Sequence, residues 1–246
     1  MILIFQSGIL LMNDKLKKII NKIFWNSYAY VYDDIVKYYN PYKHLNNFIY
    51  NFISKKIKKG IVFDAGCGTG EIATYLANKY KVIAGDFSEE MIKKLNNKIR
   101  KNNIKNISAQ IIDLNKKLYF KNKQFDIVVN IHSLFMLDDI FFTLSEFCRI
   151  IKKKGYLIIA HHKPIKLGVV VKKIIDENGL LKGILNILHL FFVGLFNIIL
   201  GFLHRKIYGD MKTDEIIRFV KSKKFNIILK KNLYNNFDEV LIFKKR

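Results

Sequence analysis

The sequence predicts an α/β fold, a mostly parallel sheet with helices on both faces, on three observations. Apolar strand-like runs alternate with helical stretches along most of the 246 residues, the arrangement of strands buried on both sides. One run, Val62-Phe63-Asp64, passes straight into a glycine-rich turn, Ala65-Gly66-Cys67-Gly68-Thr69-Gly70, ahead of a helical stretch. Successive runs also close on polar residues: Asp64, Asp86, Asp113, and then Asn130 to His132. In open sheets of this kind, ligands bind beyond the carboxyl ends of the strands.

The elements follow in order. Leu16, Ile19, Ile20 and Ile23 give residues 13–23 a helical spacing, and residues 24–58 continue as helix with an interruption at Asn40-Pro41. The first strand is expected at 61–63, a helix at 71–79, and a second strand at 81–85 ending on Asp86. Ser88 caps a helix reaching about Lys101, with Glu90 placed to favour its dipole. A third strand is expected at 107–112, a continuously apolar fourth at 125–131, a helix at 139–151 and a fifth strand at 155–161. Residues 212–246 read as a helix and two strands, 225–230 and 239–243, in an antiparallel hairpin. Residues 1–23 are expected to form a leader and helix. Residues 24–246 form a single domain, with an apolar helical insertion at 165–208 before the last two strands.

Half of the residues are hydrophobic, enough for a sizeable core, and two cysteines, Cys67 and Cys148, exclude a disulfide framework. The formal net charge of +23 points toward nucleic acid or an anionic surface. It is carried almost wholly by lysine, alongside abundant Asn, Ile, Tyr and Phe, as an AT-rich coding sequence would give. Arginine, the better phosphate fork, is scarce. Two readings stay open: a lysine-coated surface, or attraction to lipid headgroups, RNA or an anionic substrate. The apolar start has neither a basic region before it nor a small-residue cleavage site after it, so no signal peptide is expected and Met12 serves equally well as a start. No Cys/His cluster has metal-ligand spacing, so no metal site is expected.

The glycine turn narrows the chemistry. A dinucleotide fingerprint requires a third small residue where this chain has Glu71, which would crowd helix against strand and repel a pyrophosphate. S-adenosylmethionine (SAM) has no pyrophosphate and carries a sulfonium cation, which suits acids at both ends of the turn. The segment Phe63-Asp64-Ala65-Gly66-Cys67-Gly68-Thr69-Gly70 resembles the first motif of the class I SAM-dependent methyltransferases. The resemblance extends over most of residues 24–160, through Gly85-Asp86-Phe87-Ser88-Glu89-Glu90-Met91, Asp113-Leu114, Phe125-Asp126-Ile127-Val128-Val129 and Arg149-Ile150-Ile151-Lys152-Lys153-Lys154-Gly155-Tyr156. The last segment has Lys153-Lys154-Gly155 where the family usually has a Pro-Gly-Gly turn. Residues 24–33, rich in Trp25, Tyr28, Tyr30 and Tyr32, look like the aromatic entry segment of the ubiquinone-biosynthesis and type 11 branches, which folds over the cofactor as a lid. The resemblance implies a Rossmann-like seven-stranded sheet with its last strand antiparallel.

Residue by residue, Asp64, Gly66, Cys67, Gly68 and Gly70 are expected to hold the methionine end. Asp86 would accept from both ribose hydroxyls, and Phe87 would face the adenine. Asp113 would accept from the adenine amino group and the N–H of Leu114 would donate to its ring. Asn130 closes the fourth strand beside them. Asp126 opens that strand in a structural position, and Met91 is expected in the core. Methyl transfer from a sulfonium needs alignment and exclusion of water, and a base only where the acceptor must lose a proton. By position, His132, His161, His162 and Tyr32 are candidates for that base. Of the adjacent His161 and His162, at most one faces the site.

Residues 183–203 carry no charge, counting His as neutral. On a helical wheel Gly183, Asn186, Gly194, Asn197, Gly201 and His204 form one polar seam in a broad apolar surface. Such a helix fits a lid over a greasy acceptor or an interfacial helix flanked by Lys166, Lys172, Lys173, Lys182, Arg205 and Lys206. A dimer contact or a membrane span also fits. The expected enzyme is cytoplasmic, with peripheral membrane contact through 183–204. It methylates a small lipophilic acceptor: a quinone precursor, an isoprenoid or a lipid headgroup. The alternative is an RNA methyltransferase or a nucleic-acid-binding relative. Against it stand the absence of an RNA-binding module and the sequence Asn130-Ile131-His132-Ser133, where base-amino methyltransferases carry an Asn/Asp-Pro-Pro-aromatic motif.

Overall fold

The computed structural model describes residues 14–38, 40–163, 172, 175, 176, 179, 213–234 and 236–246. Two helices, α1 (Asp14–Tyr38) and α2 (Asn40–Lys56), lead into β1 (Ile61–Ala65). Then come α3 (Glu71–Ala77), β2 (Lys81–Asp86), α4 (Glu89–Lys101) and β3 (Ile107–Ile111). β4 (Phe125–Ile131), a short 3-10 turn (Leu134–Met136) and α5 (Ile140–Ile150) precede β5 (Ile151–His162). The chain closes with α6 (Thr213–Ser222), β6 (Phe225–Leu233) and β7 (Asp238–Lys245).

The strands form one sheet in the order β3-β2-β1-β4-β5-β7-β6. β1 through β5 pair in parallel, and β7 runs antiparallel to both β5 and β6. This is the expected seven-stranded, mostly parallel sheet. The strand order reverses between β1 and β4, so a crevice opens there beyond the carboxyl ends. Because β7 is antiparallel, its first residue, Asp238, lies at the same rim as the last residues of β4 and β5.

Side-chain alternation divides the core into two layers. Val62, Ile127, Val129, Ile158 and Ile242 pack under α2, α3 and α4. Phe63, Val128, Leu157, Ile159 and Phe243 pack under α5 and α6. Truncating a residue such as Phe63, fully buried among aromatic neighbours, costs about 3–5 kcal/mol. The caps act as the sequence suggests: Ser88 Oγ accepts from the N–H of Met91, and Asp139 accepts from those of Phe141 and Phe142.

Several boundaries differ from expectation. α5 ends on Ile150 and passes directly into β5, without the turn expected at Lys153-Lys154-Gly155. The extra residues are absorbed by a register shift against β4 between Phe125 and Ile127, with Lys154 at a left-handed φ of 65°. Gly155 permits this close approach, since a Cβ there would lie 2.7 Å from the Asp126 carbonyl oxygen. β3 stops at Ile111, so Asp113 sits just beyond the strand. The second helix begins at Asn40, so Asn40-Pro41 opens a helix rather than interrupting one. The insertion at 183–204, and most of 165–208, lies outside the described residues. Among the described residues no helix is long and apolar enough to cross a membrane.

Candidate active site

β1 delivers the chain to the crevice, and the glycine turn reverses it into α3. Gly66, Gly68 and Gly70 all have positive φ, 75°, 54° and 84°. Gly66 is also closely approached, because a Cβ there would collide with Ser133. The N–H groups of Gly66 and Cys67 donate to Gly85 O at 2.8 and 3.0 Å, fixing the turn to β2. From the end of β2, Asp86 accepts from the N–H of Gly68 at 2.8 Å and of Ser88 at 2.9 Å. One acid thereby ties together the two turns that flank the crevice. Burial raises its pKa, and those backbone donors hold the rise in check.

Asp64 is 1% exposed. Burial, with Asp86 nearby, pushes its carboxyl up to about 8, and its Oδ2 has no hydrogen-bond partner among the described residues. A buried, unpartnered carboxyl oxygen behind the turn fits a cationic group such as the amine of SAM. Burial likewise holds the Cys67 thiol well above its ordinary pKa, which leaves it a poor nucleophile.

α1 lies across the turn. Asp33 Oδ1 accepts from Thr69 Oγ1 at 2.6 Å and from Lys98 Nζ at 2.8 Å, and Lys98 also reaches Glu71 at 2.8 Å. Ser88 Oγ donates to Asn26 Oδ1 at 2.7 Å. These contacts fasten the aromatic segment, and the Tyr32 ring rests over Gly68. Glu71 therefore faces Lys98 rather than the crevice. The close packing at the start of α3 falls instead to Gly70, where a Cβ would strike Leu95.

The opposite side of the crevice is built differently. His132, at a left-handed φ of 54°, directs Nε2 to Asp238 Oδ1 at 2.8 Å, and His162 Nδ1 lies 2.8 Å from the same oxygen. The two imidazoles stack with centroids 3.5 Å apart, and Tyr42 stands edge-on to both. Burial, with His162 alongside, brings His132 down to about 4, so its imidazole is neutral at neutral pH. Although burial opposes it, the two histidines hold the Asp238 carboxyl below the usual carboxylate range.

These walls enclose a cavity of about 410 Å³. Of the expected residues, Gly66, Gly68, Asp86, Phe87, Asp113, Leu114, Tyr32 and His132 line it. Asp64, Cys67, Gly70 and Asn130 are buried behind the wall, where Asn130 Nδ2 donates to Ala65 O and Ser133 Oγ. Asp126 accepts from Ile61 N and pairs with Lys152, a structural role. Two candidate bases do not fit. His161 points to the other face of β5, toward Glu239 at 3.3 Å and Thr213 at 3.4 Å, and it is His162 that lines the cavity. Burial raises the Tyr32 phenol far above its ordinary pKa, so it stays protonated. Met91, expected in the core, is buried against Phe24 and Tyr28 and also reaches the cavity wall. Trp25 of the expected aromatic segment lines the cavity as well, whereas the sequence missed Tyr42, Ser133 and Met136 at the wall. It also missed the gathering of His132, His162 and Asp238. Spacing could not reveal that cluster, since His132 and Asp238 are 106 positions apart.

Comparison with known proteins agrees with this architecture. A family model described as a methyltransferase domain matches residues 63–159, from β1 through most of β5. The chain is 29% identical over 154 residues to YqeM of Bacillus subtilis, a methyltransferase by name, covering 59% of this chain and 58% of that protein. It is 27% identical over 141 residues to a demethylmenaquinone methyltransferase of Leptospira interrogans, covering 52% and 57%. The matches thus span under three fifths of the length of these relatives. Among solved structures, a magnesium protoporphyrin IX methyltransferase from Synechocystis PCC 6803 with bound SAH aligns over 93% of this chain and all of that one, with a TM-score of 0.66 and 17% identity. Residues 63–159 thus match a methyltransferase-domain model, within a chain that shares the fold of the magnesium protoporphyrin IX methyltransferase.

Proposed function

We propose that this chain moves a methyl group from SAM to a small, lipophilic, ring-bearing acceptor, of which a quinone precursor is the leading case. One observation carries the reading: a single cavity is lined both by the polar strand-end groups Gly66, Gly68, Asp86 and Asp113 and by the aromatic side chains Trp25, Tyr28, Tyr32 and Tyr42. The name of the demethylmenaquinone methyltransferase relative supports the choice of acceptor.

SAM would supply an electrophilic methyl on an already activated leaving group. The protein's part is then placement and exclusion of water. Asp86, held by the N–H groups of Gly68 and Ser88, retains lone pairs for two ribose hydroxyls. Phe87 offers a flat face to the adenine. Asp113 and the N–H of Leu114 address its edge, and Asp64 takes the amine. α1, fastened through Asp33 and Asn26, covers the reacting atoms and brings Tyr28 and Tyr32 against the acceptor. A base is needed only for an acceptor that must lose a proton, and of the expected candidates His132 stands at the wall with its Nε2 engaged by Asp238. An insertion at 183–204 that caps this aromatic end, or lies in a membrane interface, would bring a lipophilic acceptor to it.

The test is incubation of the protein with methyl-labelled SAM and separate lipid, RNA and aqueous small-molecule extracts. Label in the lipid-soluble fraction is expected. Label in RNA, with binding that falls steeply as salt rises, would replace this reading with the nucleic-acid one.

A further inference from the structure

The antiparallel return of β7 places a carboxylate between two histidines from different strands. His162 and Asp238 are register partners at the ends of β5 and β7. His132 arrives from the neighbouring β4, and the N–H of His132 donates to Ala160 O at 2.9 Å, fixing its backbone. His132, His162 and Asp238 each offer one ligand atom, and the three atoms lie within 4.8 Å of one another. We propose that these three residues bind a divalent transition-metal ion, zinc by donor set, at the acceptor end of the cavity.

Three features support this. First, Asp238 is fully buried, and among the described residues its only ion-pair partners are the two imidazoles. Its Oδ2 has no hydrogen-bond partner among those residues, and neither does His132 Nδ1. A buried carboxylate whose partners are two imidazoles is a place where a cation can be held, since buried charges are paired or bound to metal. Second, two imidazoles and one carboxylate form the donor set of catalytic zinc, which keeps a further position open. Magnesium and calcium prefer all-oxygen sites. Third, the ligand atoms already lie near metal-binding distances of one another. Ligand bonds of about 2.1 Å in a tetrahedron separate ligand atoms by roughly 3.4 Å. The two contacts now at 2.8 Å must open slightly, and the stacked rings must splay. His132 and His162 line the cavity, so the open position faces the acceptor. There an ion supplies Lewis acidity to an oxygen or sulfur of the acceptor. That role rests on the methyltransferase reading; occupation of the site does not.

The experiment uses the full chain, stripped with chelator and titrated with Zn²⁺, Co²⁺ and Mg²⁺ by calorimetry, with thermal melting in parallel. One Zn²⁺ per chain is expected, with a raised melting temperature, and Co²⁺ should develop visible absorption while Mg²⁺ does not bind. His162→Ala and Asp238→Asn should weaken Zn²⁺ by at least about tenfold and still bind SAM, whereas His44→Ala should behave as wild type. Equal Zn²⁺ affinity in the wild type and both site variants would overturn the proposal, as would a wild type that binds SAM but no Zn²⁺. If a variant does not fold, the wild-type stoichiometry and cobalt spectrum still decide. Zinc binding without SAM binding would leave the site standing and sink the methyltransferase reading alone.

Discussion

The two ends of the cavity are built by different means. At the β1–β2–β3 end the contacts are short-range in sequence and largely made by backbone: a glycine turn, Asp86 at the end of β2 and Asp113 just past β3, and N–H groups that hold Asp86 in place. At the β4–β5–β7 end they are side chains from distant elements: Tyr42 of α2, His132, His162 and Asp238. A site made of backbone and strand-end acids suits a constant ligand. A site made of aromatic and titratable side chains, brought together only by the fold, is where specificity for a variable ligand can be set.

The comparison is broken most severely at Asp86. Asp86→Ala removes the proposed ribose contacts and also leaves the Gly68 and Ser88 N–H groups without their acceptor. A loss of about 2–3 kcal/mol, or roughly 30–150-fold in SAM affinity, is expected by calorimetry. Unchanged affinity would refute the assignment of that end to the cofactor.

A pH dependence at Asp64 comes next. Its carboxyl titrates at about 8 in the free protein, and pairing with a cationic amine would lower that value. Binding near neutral pH then releases a proton, and SAM affinity rises with pH toward about 8 and falls above it as the amine of SAM loses its own proton. Calorimetry in buffers of different ionisation enthalpy should detect the released proton, and Asp64→Asn should abolish both the release and the rise. The same shift bears on folding. Because the buried group is pushed above its unfolded value, stability of the free protein falls as pH rises from about 4 to about 8.

A smaller effect is expected where α1 is fastened. Asp33→Ala removes contacts to Thr69 and Lys98, but Asp33 is about one-third exposed, at 35%. Screening limits the loss to about 1 kcal/mol or less. It should appear as faster SAM release in stopped-flow and faster amide exchange in α1, with methyl transfer retained. The smallest effect belongs to His161→Gln, which points away from the cavity. SAM affinity and transfer rate should match wild type, and a lost transfer rate would restore His161 as a catalytic candidate.

The same contrast explains what was legible in the sequence. Asp64 to Gly70 are contiguous, and Asp86 and Asp113 follow strands whose apolar runs mark their own ends, so that half of the site could be read residue by residue. The other half depends on quantities that a single sequence leaves open. Choosing His162 over His161 requires the phase of β5, which is offset by a bulge that starts the strand at Ile151. Asp238 was missed because the last strand was expected to begin at residue 239, one residue too late, and because only the antiparallel return of β7 brings it to His132. Glu71 was expected to face the cofactor turn, yet it pairs with Lys98 from a different helix, and no local pattern announces that pairing.

The most direct test of the division between the two ends is an experimental structure of the full chain with bound SAM or its demethylated product. The adenosyl group is predicted between Asp86, Phe87 and the Asp113–Leu114 segment, with the sulfur directed toward the Tyr32, Tyr42 and His132 wall. An adenosyl group lodged against His132 and His162 instead, or bound outside this cavity, would contradict the assignment of both ends.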